Sequence, residues 1–172
     1  MKKIRLTDYA MILAGAVARV LPHAPNFTPT GALAFYSGSK MSLKAALSIS
    51  LGILFLSDLV LGWHSTMFFV YAGFALTALL GHALKDTGTA GKISGLAASS
   101  LLFFVTTNFG VWLTSGMYTH SLAGLSACYV AALPFLSNEL LSTMLYGGAF
   151  FGASKMIEHA LKARGVTAPN AA

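Results

Sequence analysis

Residues 45–62 read AALSISLGILFLSDLVLG. A single acid, Asp58, interrupts a run of aliphatic, small and hydroxyl side chains. Such a stretch is long enough to cross the roughly 30 Å hydrocarbon core of a bilayer as one helix. Working outward, Trp63-His64-Ser65-Thr66 forms a brief polar break, and a second apolar run covers Met67 to Leu84. Lys85 to Lys92 is a hydrophilic turn, followed by an apolar run from Ile93 to Thr114 that ends at Ser115–His120. A shorter run, Leu122 to Leu133, meets Pro134, which is expected to stop it. The last run covers Asn138 to Leu161. Towards the N-terminus, Thr30–Ser39 is a short apolar segment. Pro22–Pro29, with three prolines, is a stiff loop that ends a first run from Leu6 to Leu21.

Composition agrees with lipid as the solvent. Hydrophobic residues make up 56% of the chain and charged residues 9%, against about 25% charged in soluble domains. The net charge is +6, with 11 Lys and Arg. These residues stand in short clusters between apolar runs, a pattern of membrane orientation and not of nucleic-acid binding. One cysteine, Cys128, excludes an intrachain disulfide. Met1-Lys2-Lys3-Ile4-Arg5 before an apolar run resembles a secretory leader, with Ala14 and Ala16 as a small-residue cleavage pattern. Asp8 interrupts that run, so the expectation is that the segment is retained.

The basic residues arbitrate the topology. With six crossings and both termini inside, Lys2, Lys3, Arg5, Lys40, Lys44, Lys85, Lys92, Lys155, Lys162 and Arg164 all fall on the inner side, and only Arg19 lies near the outer one. The expected fold is therefore an all-α integral membrane protein: a six-helix transmembrane bundle, with Leu122–Leu133 as a short re-entrant or interfacial outer helix. Residues 1–165 form a single transmembrane domain and 166–172 a polar tail.

Several residues stand out within this frame. Ala10, Ala14 and Ala18 recur every fourth position on the first helix, a flat strip for close helix approach, either within the chain or to a partner protein. Asp58 and Arg19 fall at similar depth near the outer side, so they are expected to pair or to contact a ligand. Asn108 and Trp112 lie one turn apart. His23, Asn26, His64, Tyr118, His120, Asn138 and Glu139 fall in outer loops or at outer helix ends. This convergence fits a small-molecule site, or an aromatic belt at the headgroups. Cys128 and the histidines show no metal-binding spacing. A small packing residue is the first reading for Cys128, and a soft-metal or cobalt-centred contact by Cys128 or His64 is the lesser one. No phosphate-binding loop, nucleophile elbow or paired carboxylates occur, so no enzyme and no cofactor is expected.

The blocks Arg19–Ala34, Phe55–Thr66, Thr107–Trp112 and Cys128–Phe135 resemble, in order, an uncharacterised family of bacterial membrane proteins described in terms of transport (DUF6580-like). Where its members often have Asn-Thr-Leu-Leu-Gly-Asp, this chain has Asn138-Glu139-Leu140-Leu141-Ser142-Thr143, so no role is carried to that position. More distantly, the chain is similar to the S components of energy-coupling factor vitamin transporters. That likeness implies six helices, a vitamin bound at the outer face, and docking on a transmembrane coupling subunit of an ATPase complex through an Ala-x-x-x-Ala face, here Ala10, Ala14 and Ala18.

The expectation is a multi-pass protein of the bacterial cytoplasmic membrane, both termini cytoplasmic, that binds a small vitamin-like nutrient outside for uptake. Arg19, His23, Asn26, Asp58, His64, Asn108 and Trp112 are the expected site residues. The alternatives are a non-transport scaffold or assembly subunit docking through the alanine face, and an intramembrane enzyme. Membrane lipid is an expected partner and nucleic acid is not.

Overall fold

The computed structural model describes residues 6–164. Within them lie six helices: α1 (Leu6–Val20), α2 (Thr30–Lys40), α3 (Leu43–Leu61), α4 (Met67–Ala83), α5 (Thr89–Thr114) and α6 (Leu122–Ala163). No strand occurs among the described residues. Lys2, Lys3, Arg5 and the tail 166–172 lie outside the described residues.

The helix ends follow local chemistry. Pro29 caps α2, its carbonyl accepting from the Leu33 N–H at 2.8 Å. The Ser42 side chain caps α3 by accepting from the Ala45 N–H. Gly62, at φ 90°, ends α3 while donating its N–H to the Asp58 carbonyl. Lys92 Nζ donates to the carbonyls of Leu84 and Lys85, neutralising the C-terminal end of α4. Buried hydroxyls inside the helices, including Ser50, Ser57 and Ser99, bond carbonyls three or four residues back on their own helix. Such bonding keeps polar side chains satisfied in an apolar surround.

The centre of the bundle is the shortest helix. Every α2 residue except Tyr36 and Lys40 is buried, packed by α4, α6 and α3. The α2–α4 contact is backbone on backbone. A Cβ on Gly38 would strike the Ala78 carbonyl, and one on Gly81 would strike the Phe35 carbonyl. Small residues at a crossing let membrane helices associate by van der Waals contact where no hydrophobic effect drives them together. Leu54, Phe74 and Phe103 form one core cluster beside Ala34, and Leu33, Ile49 and Ile53 form another. α1 packs chiefly on α3, with Gly15 seated against Ile53. Outside this core, large apolar side chains such as Val60, Phe68, Leu122 and Val130 are exposed, as a lipid-facing surface requires.

By length and composition, three helices can cross a membrane: Leu43–Leu61, Thr89–Thr114 and Leu122–Ile157. α4 is apolar with 17 residues, at the lower limit for a span. α2 has 11 residues, a reach of about 16 Å at 1.5 Å per residue, or half a hydrocarbon core. It does not meet the length of a crossing and serves as the packing core instead. A second correction concerns Leu122–Leu133, expected to be a separate re-entrant or interfacial helix. It is continuous with the last segment in one 42-residue helix with Pro134 inside it. Pro134 is exposed on the outward side. Transmembrane helices carry proline where local adjustment re-satisfies the freed carbonyl and little water competes for it.

Candidate functional site

The helices alternate so that the C-terminal end of α5 meets the N-terminal part of α6. Tyr129 Oη donates to the Val105 carbonyl at 2.7 Å, and Trp112 Nε1 to the Thr119 carbonyl at 2.9 Å. Thr114 Oγ1 donates to the Ser65 carbonyl, so the N-terminal end of α4 lies at the same end of the bundle. The Pro22–Pro29 loop is tied down there by α6. Asn138 Nδ2 donates to the Pro25 carbonyl at 3.0 Å, and Ser142 Oγ to the Asn26 carbonyl at 3.3 Å. Asn26 takes a left-handed backbone, φ 60°, a conformation asparagine tolerates better than most residues. Its neighbour Phe27 packs edge-on against Tyr146.

These elements line a cavity of about 350 Å³ that is open on one side, where Met117 and Phe135 are exposed. Asn26 comes from the loop, Thr66 and Val70 from the start of α4, and Phe103, Thr107 and Asn108 from α5. Tyr118 comes from the α5–α6 turn, and Cys128, Ala132 and Phe135 from one face of α6. Asn108 donates its amide N–H to the Phe104 carbonyl at 2.8 Å, which leaves Oδ1 as an acceptor. Cys128 is buried, with Sγ 3.4 Å from the Asn108 carbonyl. The wall is mostly apolar with a few neutral polar groups, the usual make-up of a small-molecule pocket.

Of the residues singled out from the sequence, Asn26, Asn108, Tyr118 and Cys128 meet in this cavity. The others stand elsewhere. Arg19 Nη2 lies 3.4 Å from Asp58 Oδ1, a pair with Asp58 only 2% exposed, and the Tyr71 hydroxyl of α4 adjoins the carboxylate. This cluster joins α1, α3 and α4 and is not part of the cavity wall. His23 is exposed, its ring nitrogens 2.8 Å from the Ala24 carbonyl and 3.2 Å from the Arg19 carbonyl, closing the end of α1. His64 is exposed and bonds Thr66, a wall residue. Trp112 braces the α5–α6 turn, in ring contact with Phe109 and His120. Glu139 is buried, accepts a hydrogen bond from Thr143 Oγ1 at 3.1 Å, and abuts Gly31 in the first turn of α2. Among the described residues no group of three or more metal-ligating side chains occurs.

Sequence reasoning missed Phe103, Thr107, Met117 and Phe135 as wall residues. Cys128, Ala132 and Phe135 carry a faint signal, since their spacing puts them on one helix face. On α1, Ala14 is exposed and Ala18 half-buried, while Gly15 and Ala16 face the bundle. Ala10 is helical, and its side chain lies outside the described residues.

Charge divides the bundle into two ends. Lys40, Lys44, Lys85, Lys92, Lys155 and Arg164 stand on helix ends that lie together, as the contacts Lys92–Leu84 and Lys155–Thr89 require. At the cavity end, the charged side chains among the described residues are Arg19, Asp58 and Glu139, none of them exposed.

The family model described as "Family of unknown function (DUF6580)" matches residues 2–164, and the chain belongs to that family. No curated protein and no solved structure matches it.

Proposed function

We propose, for a member of a family to which no activity is attached, that the protein binds a small vitamin-like nutrient at the outer face of a bacterial cytoplasmic membrane and takes part in its uptake. The observation that carries this reading is the cavity of about 350 Å³ at the end of the bundle away from the lysines, capped by a proline-stiffened loop. Its volume lies at the small end of the range for ligand sites. The basic clusters at the opposite end orient that end to the cytoplasm, with both termini inside. Asn26 and Asn108 would contact the nutrient, while the Arg19–Asp58 pair would hold α1 to α3 away from the cavity wall.

Native mass spectrometry of gently purified protein tests the reading. A small molecule should be retained and should be lost on Ala131→Phe, which adds bulk to the cavity wall. A protein that carries no small molecule, and whose thermal stability does not respond to a nutrient mixture, contradicts it.

A second reading, docking of a partner membrane protein through α1, has its own support. α1 spends Gly15 and Ala16 on internal packing and leaves Ala14 exposed beside Leu13 and Val17, so an apolar face with a small residue in it stays open for another helix. A transmembrane coupling subunit of an ATPase complex is the partner that the nutrient-uptake reading calls for. A scaffold or assembly role would use the same face without a ligand.

A further inference from the structure

Among the described residues, the cavity wall contains no Asp, Glu, Lys, Arg or His. The fixed charges nearby are withheld from it. Arg19 and Asp58 face one another, and the Glu139 carboxylate turns to Thr143 and Gly31. What the wall does offer is neutral: Asn26, Tyr118 and Asn108, whose Oδ1 remains an acceptor, set among Phe103 and Phe135. A carboxylate, phosphate or ammonium moved from water into such a space would shed part of its hydration against Phe103, Val70 and Ala132 and meet no counter-charge, which disfavours an ion. A molecule with amide, lactam or hydroxyl edges loses far less, because the asparagines and the tyrosine replace its water.

We infer that the cavity selects an uncharged cargo: a neutral, largely planar molecule with hydrogen-bonding edges, and not an anion or a cation. This rests on the nutrient-binding reading and narrows it. Phe103 and Phe135 supply apolar surface suited to a ring, while the polar groups come from three separate elements, the loop, α5 and the α5–α6 turn. A ligand touching all three would hold the loop against the helices without any ion pair.

Cys128 makes the inference measurable, because it is the chain's one cysteine and it lines the cavity. Three methanethiosulfonates are reacted with the purified full chain in mild detergent: neutral benzyl, anionic sulfonatoethyl and cationic trimethylammonioethyl. In each case the thiolate bonds to the reagent's sulfenyl sulfur and methanesulfinate leaves. Each rate is divided by the same reagent's rate on glutathione. The neutral reagent should label Cys128, and both charged ones should lag by at least about 100-fold, because their charge must be desolvated on the way in. Ala131→Phe should slow the neutral reagent. If a charged reagent comes within tenfold of the neutral one, neutrality is overturned and nutrient binding still stands. If all three fail to react, or Ala131→Phe leaves the neutral rate unchanged, the thiol is not reached through an open cavity, and both readings go.

Discussion

The two ends of the bundle handle charge in opposite ways. At one, Lys40, Lys44, Lys85, Lys92, Lys155 and Arg164 stand on the ends of five helices. Lys92 also closes the α4 carbonyls, and Lys155 reaches Thr89 across to α5. At the other, Arg19 and Asp58 cancel each other in the interior, Glu139 is buried, and the cavity between them and the α5–α6 turn is neutral. In one small chain, cations thus gather at the helix ends of one side, while the cavity at the other is lined by neutral residues. The difference teaches that the Arg19–Asp58 pair at the cavity end spans α1 and α3 and supplies no residue to the cavity wall.

The largest expected effect comes from breaking the self-cancelled charge at the cavity end. Arg19→Met leaves Asp58 buried without its cation and should cost about 3–5 kcal/mol of stability. The double variant Arg19→Met, Asp58→Leu should recover most of that loss, because replacing both partners with apolar groups removes the stranded charge. Thermal unfolding in detergent reads both. A single variant as stable as the parent would mean the pair does not hold α1 to α3.

Next in size is the close crossing between α2 and α4 towards the basic end. Gly81→Val puts carbon where the Phe35 carbonyl stands and should cost about 3 kcal/mol, near the top of the usual range for overpacking. Gly148→Val, at a position with open space around it, should change stability by less than about 1 kcal/mol. Equal effects at the two sites would remove α2 from the centre of the account.

How much of this was legible beforehand depended on which rule applied. The apolar runs and their turns were readable, because a lipid-facing helix must be apolar along its whole length. The Arg19–Asp58 pair was readable as well, since few other charges stood at that depth. Pro134 misled, because the proline rule is calibrated where water competes for the freed carbonyl, and α6 continues past it. Thr30–Ser39 misled in another way. Its basic flank argued for a crossing, while its 11 helical residues and its run of small side chains suit a core element. In the cavity, Asn26 and Asn108 were visible as polar residues in apolar surroundings. Phe103, Met117 and Phe135 were not, because an apolar side chain reads the same whether it meets lipid, core or ligand.

A smaller effect belongs to the capping lysine. Lys92→Met should cost about 0.5 kcal/mol, the size of a partly exposed cation at a helix C-terminus, with the difference shrinking as salt is raised. A loss that is large and insensitive to salt would mean the basic end is a packed core and not a charged rim.

The smallest change in stability is expected on α1. Ala14→Leu should stay within about 0.5 kcal/mol, since the position is exposed, while reducing co-purification of a docked membrane partner. Gly15→Leu, one residue on, should destabilise the fold, because its Cβ would lie 2.5 Å from Ile53 Cδ1. If the two variants behave alike, α1 has no free face.

The sidedness of the two ends tests the central claim most directly. In a Cys128→Ser background, Tyr118→Cys marks the cavity end and Thr87→Cys the basic end. An impermeant thiol reagent is then added to intact cells. The account predicts labelling at position 118 and none at position 87 until the membrane is opened. Labelling at 87 in place of 118, or at both equally, would contradict a charge-free cavity facing outward above a cytoplasmic ring of lysines.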